Sequence, residues 1–266
     1  MTRLLDHVDS PADLRALSYR QLDQLADEVR EFLVDCVHGI GDGGHLASNL
    51  GVVELSIVLH RLFDTPRDKI LWDVSHQVYV HKILTGRKAQ MGTIRQYQGL
   101  SGFADRTESP HDAFGAGHAG TSISAAVGMA VARDMKGEDF KVVAVIGDGA
   151  MTAGMALEAM NHAGHLNQDI IVVLNDNAMS ISPNVGALSR NVNKLRVDPH
   201  YRNAKREIGG IVEHLPLGRQ VWQGAKRIKA SMRDLLVPAS FWEQFGFEYY
   251  GPVDGHNIRE LEATLQ

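Results

Sequence analysis

The chain has 266 residues, of which 44% are hydrophobic and 22% are charged, as in a globular protein with a substantial core. Its net charge of −5 argues against a general nucleic-acid binder, and its single cysteine, Cys36, excludes an internal disulfide framework. Residues 1–20 lack the apolar core of a secretory signal, and no stretch reaches the run of about 20 apolar residues that a membrane-spanning helix needs. We therefore expect a soluble, cytoplasmic protein in a reducing compartment.

The first strong helical pattern covers residues 18–37. Ser18 and Gln21 fit a capping box at its start, and Gly39 is expected to end it. The apolar residues of one face recur at helical spacing: Leu22, Leu25, Val29, Phe32, Leu33 and Cys36. A glycine-rich stretch follows, and a second helix is expected to begin near Leu50.

The elements that follow alternate between strand and helix. Strands are predicted at residues 70–74, 142–146 and 170–174, and helices at 78–84, 121–135 and 152–163, the last of them ended by Gly164. Residues 85–116 are expected to be mostly loop. This alternation predicts an α/β fold with a parallel β-sheet flanked by helices.

Residues 183–240 interrupt the alternation. Between Arg190 and Asp234 the sequence has eleven Lys or Arg against four Asp or Glu. A pair of surface helices with solvated charges is the preferred interpretation, and contact with phosphate or nucleic acid is the alternative. We expect this helical insertion to form a mobile cover near the functional site, within a single domain of residues 1–266. A short strand at 248–250 and a helix are predicted at the end.

Polar motifs follow two successive strands of the predicted sheet. Gly147-Asp148-Gly149 closes one apolar run, and Asn175-Asp176-Asn177 closes the next. Ligands of open α/β sheets bind at the carboxyl ends of strands. Asp148 and Asn177 offer oxygen ligands of the kind that Mg²⁺ accepts, and Gly149 and Ala150 lead into a helix whose N-terminus favours an anion. Either motif alone is more often a plain turn or loop, but together they predict a metal-bridged diphosphate.

Three histidines, His45, His76 and His118, each adjoin Gly or Ser at an element boundary, where they are candidates for proton transfer. Any one of them alone is more often structural, and their spacing does not fit a zinc site. The glycines of residues 39–44 have the spacing of a dinucleotide fingerprint, but a helix precedes them instead of the required strand. No nucleophile elbow is present, which argues against a serine hydrolase.

The two polar motifs, extended to residues 147–154 and 175–181, resemble the thiamin-diphosphate signature of the transketolase-like enzymes. Further stretches resemble, more specifically, the 1-deoxy-D-xylulose-5-phosphate synthase family. These are residues 44–48, 72–77, 81–87, 117–118 with 121–124, 184–188 and 251–256. The likeness extends from the first helix to the last residue, and the set of motifs is highly specific.

The resemblance implies a thiamin diphosphate cofactor and a Mg²⁺ ion. It assigns the metal to Asp148, Asn177 and the main-chain carbonyl of Met179, with Asn177 also beside the cofactor. Gly149 and Ala150 would hold the diphosphate, as the residue types themselves suggest.

The resemblance also implies a reaction and further site residues. Gly117, His118 and Ala119 would line the cofactor site, His76 would contact the cofactor, and His45 would assist proton transfers near the reacting carbon. The implied reaction condenses pyruvate with glyceraldehyde 3-phosphate to 1-deoxy-D-xylulose 5-phosphate and carbon dioxide. His45 and His76 are thus the predicted catalytic residues.

Five positions depart from the usual pattern of that family. Ser75 stands where Gly is usual, Val80 where Pro is common, Ala119 and Gly120 where a Ser-Ser pair is usual, and Ala178 where an acidic residue is usual. These substitutions are small and are expected to keep the backbone. They put in doubt only a hydroxyl contact at Ala119.

Members of this family continue through a pyrimidine-binding domain and a third domain, which carry the activating glutamate and the arginines for the substrate phosphate. The resemblance therefore implies that this chain supplies the magnesium–diphosphate half of a site, forms a homodimer, and needs those domains or a second chain. We expect the chain alone to bind magnesium–diphosphate weakly without turnover. The alternatives are the N-terminal subunit of a split transketolase and a non-catalytic binding half that needs a partner chain.

Overall fold

A computed structural model describes residues 3–40, 44–176 and 240–266 of the chain. The helices among these residues, in chain order, are α1 (Pro11–Leu14), α2 (Tyr19–Ile40), α3 (Leu46–Leu50), α4 (Val53–Leu62), α5 (Tyr79–Lys82), α6 (Ser122–Lys136), α7 (Gly154–Leu166), α8 (Ser240–Gln244) and α9 (Ile258–Leu265). Short 3₁₀ segments lie at Leu4–His7, Lys88–Thr93 and Ala150–Thr152, and a distorted helical segment follows α5 at Ile83–Arg87.

Three parallel strands form the described sheet, in the order β1 (Lys69–Trp72), β2 (Val142–Gly147) and β3 (Ile171–Asn175). β1 and β2 are almost fully buried, as the continuous apolar runs predict, whereas every residue of β3 is half-buried. The predicted α/β fold with a parallel β-sheet is confirmed, and each of these strands lies within two residues of its predicted position.

Helices cover both faces of this sheet. Ile70, Trp72 and Val143 belong to the core that also contains the buried faces of α2 and α4. Because side chains alternate along a strand, Leu71 and Ala144 point to the opposite face, where α6 contacts β2 and α7. The sheet is therefore the middle layer between two groups of helices. The carboxyl ends of its strands lie between these two groups.

The first long helix forms as its capping pattern predicts. The backbone N–H of Ser18 donates to Oε1 of Gln21 at 3.0 Å, which satisfies one of the free donors at the helix start. The helix runs to Ile40, however, so the predicted end at Gly39 is wrong. One glycine in the last turn costs a helix only about 1 kcal/mol. The most deeply buried residues of its apolar stripe are Leu22, Leu25, Val29 and Leu33.

Two other predicted helix boundaries are wrong. The second helix, expected to begin near Leu50, is α4, which begins at Val53; a separate short helix, α3, precedes it and is followed by a turn at Gly51 and Val52. α7 begins at Gly154 and continues through Gly164 to Leu166. Asn167, with φ at +49°, adopts the left-handed conformation that ends the helix and that the sequence assigned to Gly164.

The chain divides into two compact units, one of residues 1–182 with 253–266 and the other of residues 183–252. The predicted helical insertion at 183–240 lies, except for Ser240, outside the described residues, and the single domain stays a prediction. Residues 248–250 are not a strand, so that prediction is wrong. A strand needs a hydrogen-bonded neighbour, and none of β1–β3 pairs with this segment.

Each unit contains one described helix of the C-terminal region. α8 belongs to the second unit, and the Phe241 ring there contacts the rings of Trp242 and Phe245 edge-on. α9 belongs to the first unit, packs against α4 and is capped by Asn257, whose Oδ1 accepts the N–H of Glu260 at 3.2 Å. None of the helices in the described parts of the chain combines the length and apolarity that crossing a membrane requires.

Candidate functional site

The carboxyl ends of the three strands place polar residues along one edge of the sheet. Asp73 follows β1, Asp148 follows β2, and Asn175 is the last residue of β3. The N–H of Asp148 donates to the carbonyl oxygen of Asn175 at 3.2 Å, so the two strand ends stay together past the end of the ladder. This is the edge at which parallel α/β sheets bind ligands. Asn177 and Met179, the other predicted metal ligands, lie outside the described residues.

Asp73 anchors the loop that precedes α6. Its side chain is 1% exposed, and its two carboxylate oxygens accept the N–H groups of Gly120 at 2.8 Å and Ser122 at 3.0 Å. A carboxylate at a helix N-terminus satisfies free donors and interacts favourably with the helix dipole. Asp73 thereby fixes, beside β1, the end of the 117–120 loop, which contains the predicted cofactor residues Gly117, His118 and Ala119.

A strained turn leads from β1 to His76. Val74 and Ser75 have φ values of +58° and +62°, in the left-handed region that is unfavourable for residues with a side chain. The carbonyl oxygen of Val74 accepts the N–H of Gly117 at 3.1 Å, and Oγ of Ser75 accepts the N–H of Ala104 at 3.2 Å. The backbone at Ser75 is thus one that glycine adopts without strain, which accounts physically for the glycine usual there.

His45 and His76 are brought together by this turn. Their ring centroids lie 5.2 Å apart with the planes at 75°, and the Phe103 ring lies 6.0 Å from that of His45. Burial, and next the neighbouring His45, lower the pKa of His76, while Asp73 opposes the shift. His76 is therefore neutral near pH 7, with Nδ1 buried and lacking a hydrogen-bond partner among the described residues. A neutral imidazole of this kind can accept or donate a proton to a bound ligand.

Asn49 is a residue that the sequence analysis missed. It lies in α3, is fully buried, and its side-chain amide bonds to the backbone of both His45 and His76. Its position four residues after His45 is the only sequence signal, since a helix places such residues on one face. The contact with His76 joins distant segments, so only the tertiary structure reveals it.

The 117–120 loop needs glycine at its last position. Gly120 has φ at +78°, and a Cβ added to it would lie 2.6 Å from Cβ of Ala153 and 3.7 Å from the carbonyl oxygen of Ala150. A serine here would therefore clash, so the departure from the Ser-Ser pair follows from close packing between the two segments. Within the same loop, His118 and Ala119 are exposed.

Gly149 and Ala150 do not lead directly into a long helix. Gly149 precedes the short 3₁₀ segment Ala150–Thr152, and α7 begins only at Gly154. The expectation of a helix N-terminus at Gly149 is therefore wrong, and the N–H groups available to an anion belong to a tight turn. Gly149 and Ala150 are half-exposed, which leaves their backbone open to a ligand.

Contacts connect several of the predicted site residues along the strand ends. His45 contacts His76, the turn before His76 bonds to Gly117, and Gly120 packs against Ala153, five residues after Asp148. The described structure thus assembles one continuous rim from residues that lie up to about a hundred positions apart in the sequence.

A buried polar network holds the loop of residues 101–112, which bonds to Ser75 through the N–H of Ala104. Asp112 accepts hydrogen bonds from both terminal nitrogens of Arg87 at 2.8 and 2.7 Å and lies 2.8 Å from Nε2 of His81. Lys82 and Arg87 both pair with Glu108, which also accepts the N–H of Ser101. The network ties α5 to the loop of residues 101–112, where the sequence predicted only loop.

The network also shifts the titration of its members. Burial alone would raise the pKa of Asp112, but the hydrogen bonds from His81 and Arg87 hold it far below its usual range. Burial lowers the pKa of His81 and, more strongly, that of His60, whose Nε2 lies 2.8 Å from Nδ1 of His81. The two histidines are therefore neutral at pH 7, and in their hydrogen bond one ring donates its N–H while the other accepts.

No group of three His, Cys, Asp or Glu side chains within residues 3–40, 44–176 and 240–266 is arranged to hold a metal ion. The predicted ligand set is of a different composition, with one carboxylate from Asp148, one amide from Asn177 and one carbonyl from Met179. Mg²⁺ commonly takes one or two carboxylates and completes its octahedron with water and phosphate oxygens.

Two sequence comparisons agree on a family. The model of the family described as 1-deoxy-D-xylulose-5-phosphate synthase matches residues 5–266. An enzyme of that name from Dehalococcoides mccartyi is 57% identical over 266 residues, which is 100% of this chain and 42% of the relative. One from Pelotomaculum thermopropionicum is 54% identical over the same length, which is 41% of that relative. The chain thus spans less than half the length of these relatives.

Solved structures support the fold. A transketolase mutant from Pichia stipitis superposes with a TM-score of 0.65 at 18% identity, covering 92% of this chain and 33% of that one. The transketolase of Campylobacter jejuni gives 0.65 at 19% identity and covers 94% and 35%. At this identity the likeness concerns the fold alone. Together with the sequence matches, it shows that the chain belongs to the 1-deoxy-D-xylulose-5-phosphate synthase family and corresponds to the N-terminal part of its members.

Proposed function

We propose that this chain supplies the half of a 1-deoxy-D-xylulose-5-phosphate synthase active site that binds magnesium and the diphosphate of thiamin diphosphate. The observation that carries the proposal is the rim of strand ends, in which His76, the 117–120 loop and the turn at Asp148 are linked by direct contacts. The rim belongs to a chain that matches the family over residues 5–266.

The residues present fit a diphosphate with its metal. Asp148 offers a hard oxygen ligand at the end of β2, and the following turn exposes backbone at Gly149 and Ala150. The close approach of Gly120 to Ala153 leaves no room for a side chain at position 120. The buried Nδ1 of His76 has no hydrogen-bond partner in the described ranges, and a ligand in the rim would satisfy it. In this proposal Asn177 and the carbonyl of Met179 complete the metal site, and Gly117, His118 and Ala119 line the cofactor.

The protein groups of the rim would position the ligand and move protons. His76, neutral and partly buried, would hold a proton at Nε2 or Nδ1 beside the cofactor, and His45 would exchange protons with the reacting substrate. Asp73 keeps the 117–120 loop in place without contacting the ligand. Thiamin diphosphate, when bound, supplies a nucleophilic carbon and an electron sink. The substrates would be pyruvate and glyceraldehyde 3-phosphate.

The proposed site is complete only with further protein. The chain covers 42% of a relative's length, and the remaining length of such a relative would contribute the groups that bind the aminopyrimidine and the substrate phosphate. We propose that the complete protein is a cytoplasmic homodimer that needs Mg²⁺. The chain alone would then bind magnesium–thiamin diphosphate weakly and would not turn over.

Calorimetric titration of the chain with thiamin diphosphate in the presence of Mg²⁺ tests the proposal. We expect weak binding that is lost when Mg²⁺ is chelated. Asp148→Ala removes the one proposed metal ligand that lies among the described residues and should weaken binding by at least about tenfold. Asp169→Ala is the matched control and should bind like the wild type. Asp169 is an exposed carboxylate that precedes β3, at the amino end of the strand and therefore away from the proposed site.

Equal binding by Asp148→Ala and the wild type would refute the metal assignment. Condensation of pyruvate with glyceraldehyde 3-phosphate by the purified chain alone would refute the half-site. Binding without turnover even after the remaining domains are supplied would favour the non-catalytic alternative. The split-transketolase alternative has support from the fold alone, since the solved transketolases are 18 to 19% identical to this chain.

A further inference from the structure

We propose that Asn49 is a positioning residue that clamps His45 and His76 into one rigid pair. The proposal rests on the proposed function only for the proton-transfer role of that pair. The clamp itself is a property of the folded chain and can be measured without cofactor or substrate.

The side-chain amide of Asn49 makes three hydrogen bonds, which use both N–H groups of Nδ2 and one acceptor position of Oδ1. One N–H of Nδ2 donates to the carbonyl oxygen of His45 at 2.8 Å and the other to that of His76 at 2.9 Å. Oδ1 accepts the N–H of Tyr79 at 2.8 Å, at the start of α5. The residue is fully buried, so water does not compete for these bonds. A single planar amide therefore fixes three backbone segments relative to one another.

Both histidines stand on backbone that needs such a restraint. His45 has φ at −97° and ψ at +48° just before α3, outside the regular helical region. His76 follows Val74 and Ser75, whose positive φ values make the turn costly. Strained backbone persists only where its surroundings fix it. The two carbonyls held by Asn49 belong to His45 and His76 themselves, so the clamp acts directly on the residues whose rings meet.

The arrangement of the rings follows from this clamp. The ring centroids are 5.2 Å apart at 75°, close enough that a proton on one ring disfavours a proton on the other. Burial lowers the pKa of His76, His45 lowers it further, and Asp73 raises it; these are the charged and titratable groups that face it. Releasing the clamp would let the rings separate, and the effect of His45 on His76 would fade with distance.

The test is a double-mutant cycle in which NMR measures the pKa of His76. It uses the 266-residue chain without ligand. In the wild-type background, His45→Gln should raise the pKa of His76, because it removes the neighbouring imidazole that lowers it. In the Asn49→Ala background the same substitution should leave the His76 midpoint unchanged within error. A persistent shift of wild-type size in Asn49→Ala would overturn the proposal.

A second variant and a control separate positioning from stability. Asn49→Ser keeps a hydroxyl that can bond to the carbonyl of His45 one helical turn back but is too short for His76, so it should also uncouple the pair while preserving more of the fold. Val58→Ala opens a cavity in the fully buried centre of α4 and should lower the melting temperature while leaving the coupling intact. If Val58→Ala abolished the coupling equally, Asn49 would have only a structural role.

A final measurement distinguishes this proposal from the proposed function. The proposed function would be contradicted, and the clamp would stand, if the wild-type chain showed the histidine coupling but did not bind magnesium–thiamin diphosphate. The clamp would be contradicted, and the proposed function would stand, if the Asn49→Ser variant bound the cofactor as well as the wild type and also kept the histidine coupling. Loss of coupling together with weaker cofactor binding is the result expected from both.

Discussion

At the scale of single residues, Ser75 combines two effects of opposite sign. Its φ of +62° is unfavourable for any residue with a Cβ, by roughly 1 kcal/mol. Its hydroxyl accepts the N–H of Ala104, a bond that joins the turn before His76 to the loop carrying Phe103. The chain thus accepts backbone strain beside the predicted catalytic pair and offsets it with a hydrogen bond that glycine cannot make.

Two substitutions at this position separate the strain from the hydrogen bond. Ser75→Ala keeps the strain and loses the bond, so it should reduce the free energy of unfolding by about 1–2 kcal/mol. Ser75→Gly loses the same bond but relieves the strain, so it should be more stable than Ser75→Ala by about 1 kcal/mol. Urea unfolding of the three proteins measures both differences. Equal stability of the two variants would show that the turn is not strained.

At the scale of elements, the rim depends on how α6 begins. No N-capping side chain from its own segment satisfies the first N–H groups of α6, since Thr121 Oγ1 donates to the carbonyl of His118. Asp73 from the end of β1 accepts two of the N–H groups there. A strand end thereby replaces a local cap, and the position of the 117–120 loop becomes coupled to the sheet.

Asp73→Asn should therefore loosen that loop. An amide has one acceptor oxygen in place of two and turns an N–H toward a backbone N–H, which should cost about 1–3 kcal/mol in urea unfolding. Amide hydrogen exchange at Gly120 and Ser122 should accelerate by more than at residues in β2. Asp23→Asn, on the exposed face of α2, is the control and should change neither quantity. Unchanged exchange at Gly120 and Ser122 would contradict the anchoring role of Asp73.

At the scale of the whole molecule, buried histidines make the fold sensitive to acid. His60 and His81 are fully buried, and burial is the main cause of their lowered pKa values. The unfolded chain protonates such groups near their ordinary value of 6.5, while the folded chain resists protonation. Their contribution to stability is thus fully present above that pH and is lost as the pH falls. Asp112, with its depressed pKa, adds a further loss below its ordinary value of 3.8.

The free energy of unfolding should accordingly decrease between about pH 7.5 and pH 5.5, by up to about 1.4 kcal/mol per pH unit for each buried histidine. His60→Gln keeps a donor or acceptor near Nδ1 of His81 and removes one titrating group, so the decrease should be smaller. His165→Gln, at an exposed site in α7, should leave the slope unchanged. Chemical unfolding at a series of pH values provides the slopes, and a flat wild-type profile would contradict the prediction.

How far the sequence predicts this protein differs between these scales. The strand positions, the Ser18–Gln21 cap and the parallel sheet follow from local patterns, because apolar periodicity and capping act over a few residues. The predicted helix ends at Gly39 and Gly164 are wrong, because one glycine opposes a helix only weakly; α7 ends at Asn167, in the left-handed conformation, instead. The sequence pattern predicts a turn at Asp148 after β2, but it does not predict the 3₁₀ segment that follows this turn.

The sequence by itself determined the family, the α/β fold and the residue types along the strand ends, since these depend on motifs that are contiguous in the chain. Only the tertiary structure revealed the contacts that join them. Asn49 and Asp73 each bond to segments more than twenty residues away, and no local pattern marks a buried amide or carboxylate for such a partner. The buried network around Asp112 likewise forms only when the 101–112 loop folds onto α5. Asp112 pairs with His81 and Arg87, which precede it in the sequence by more than twenty residues, so no local pattern predicts these pairs.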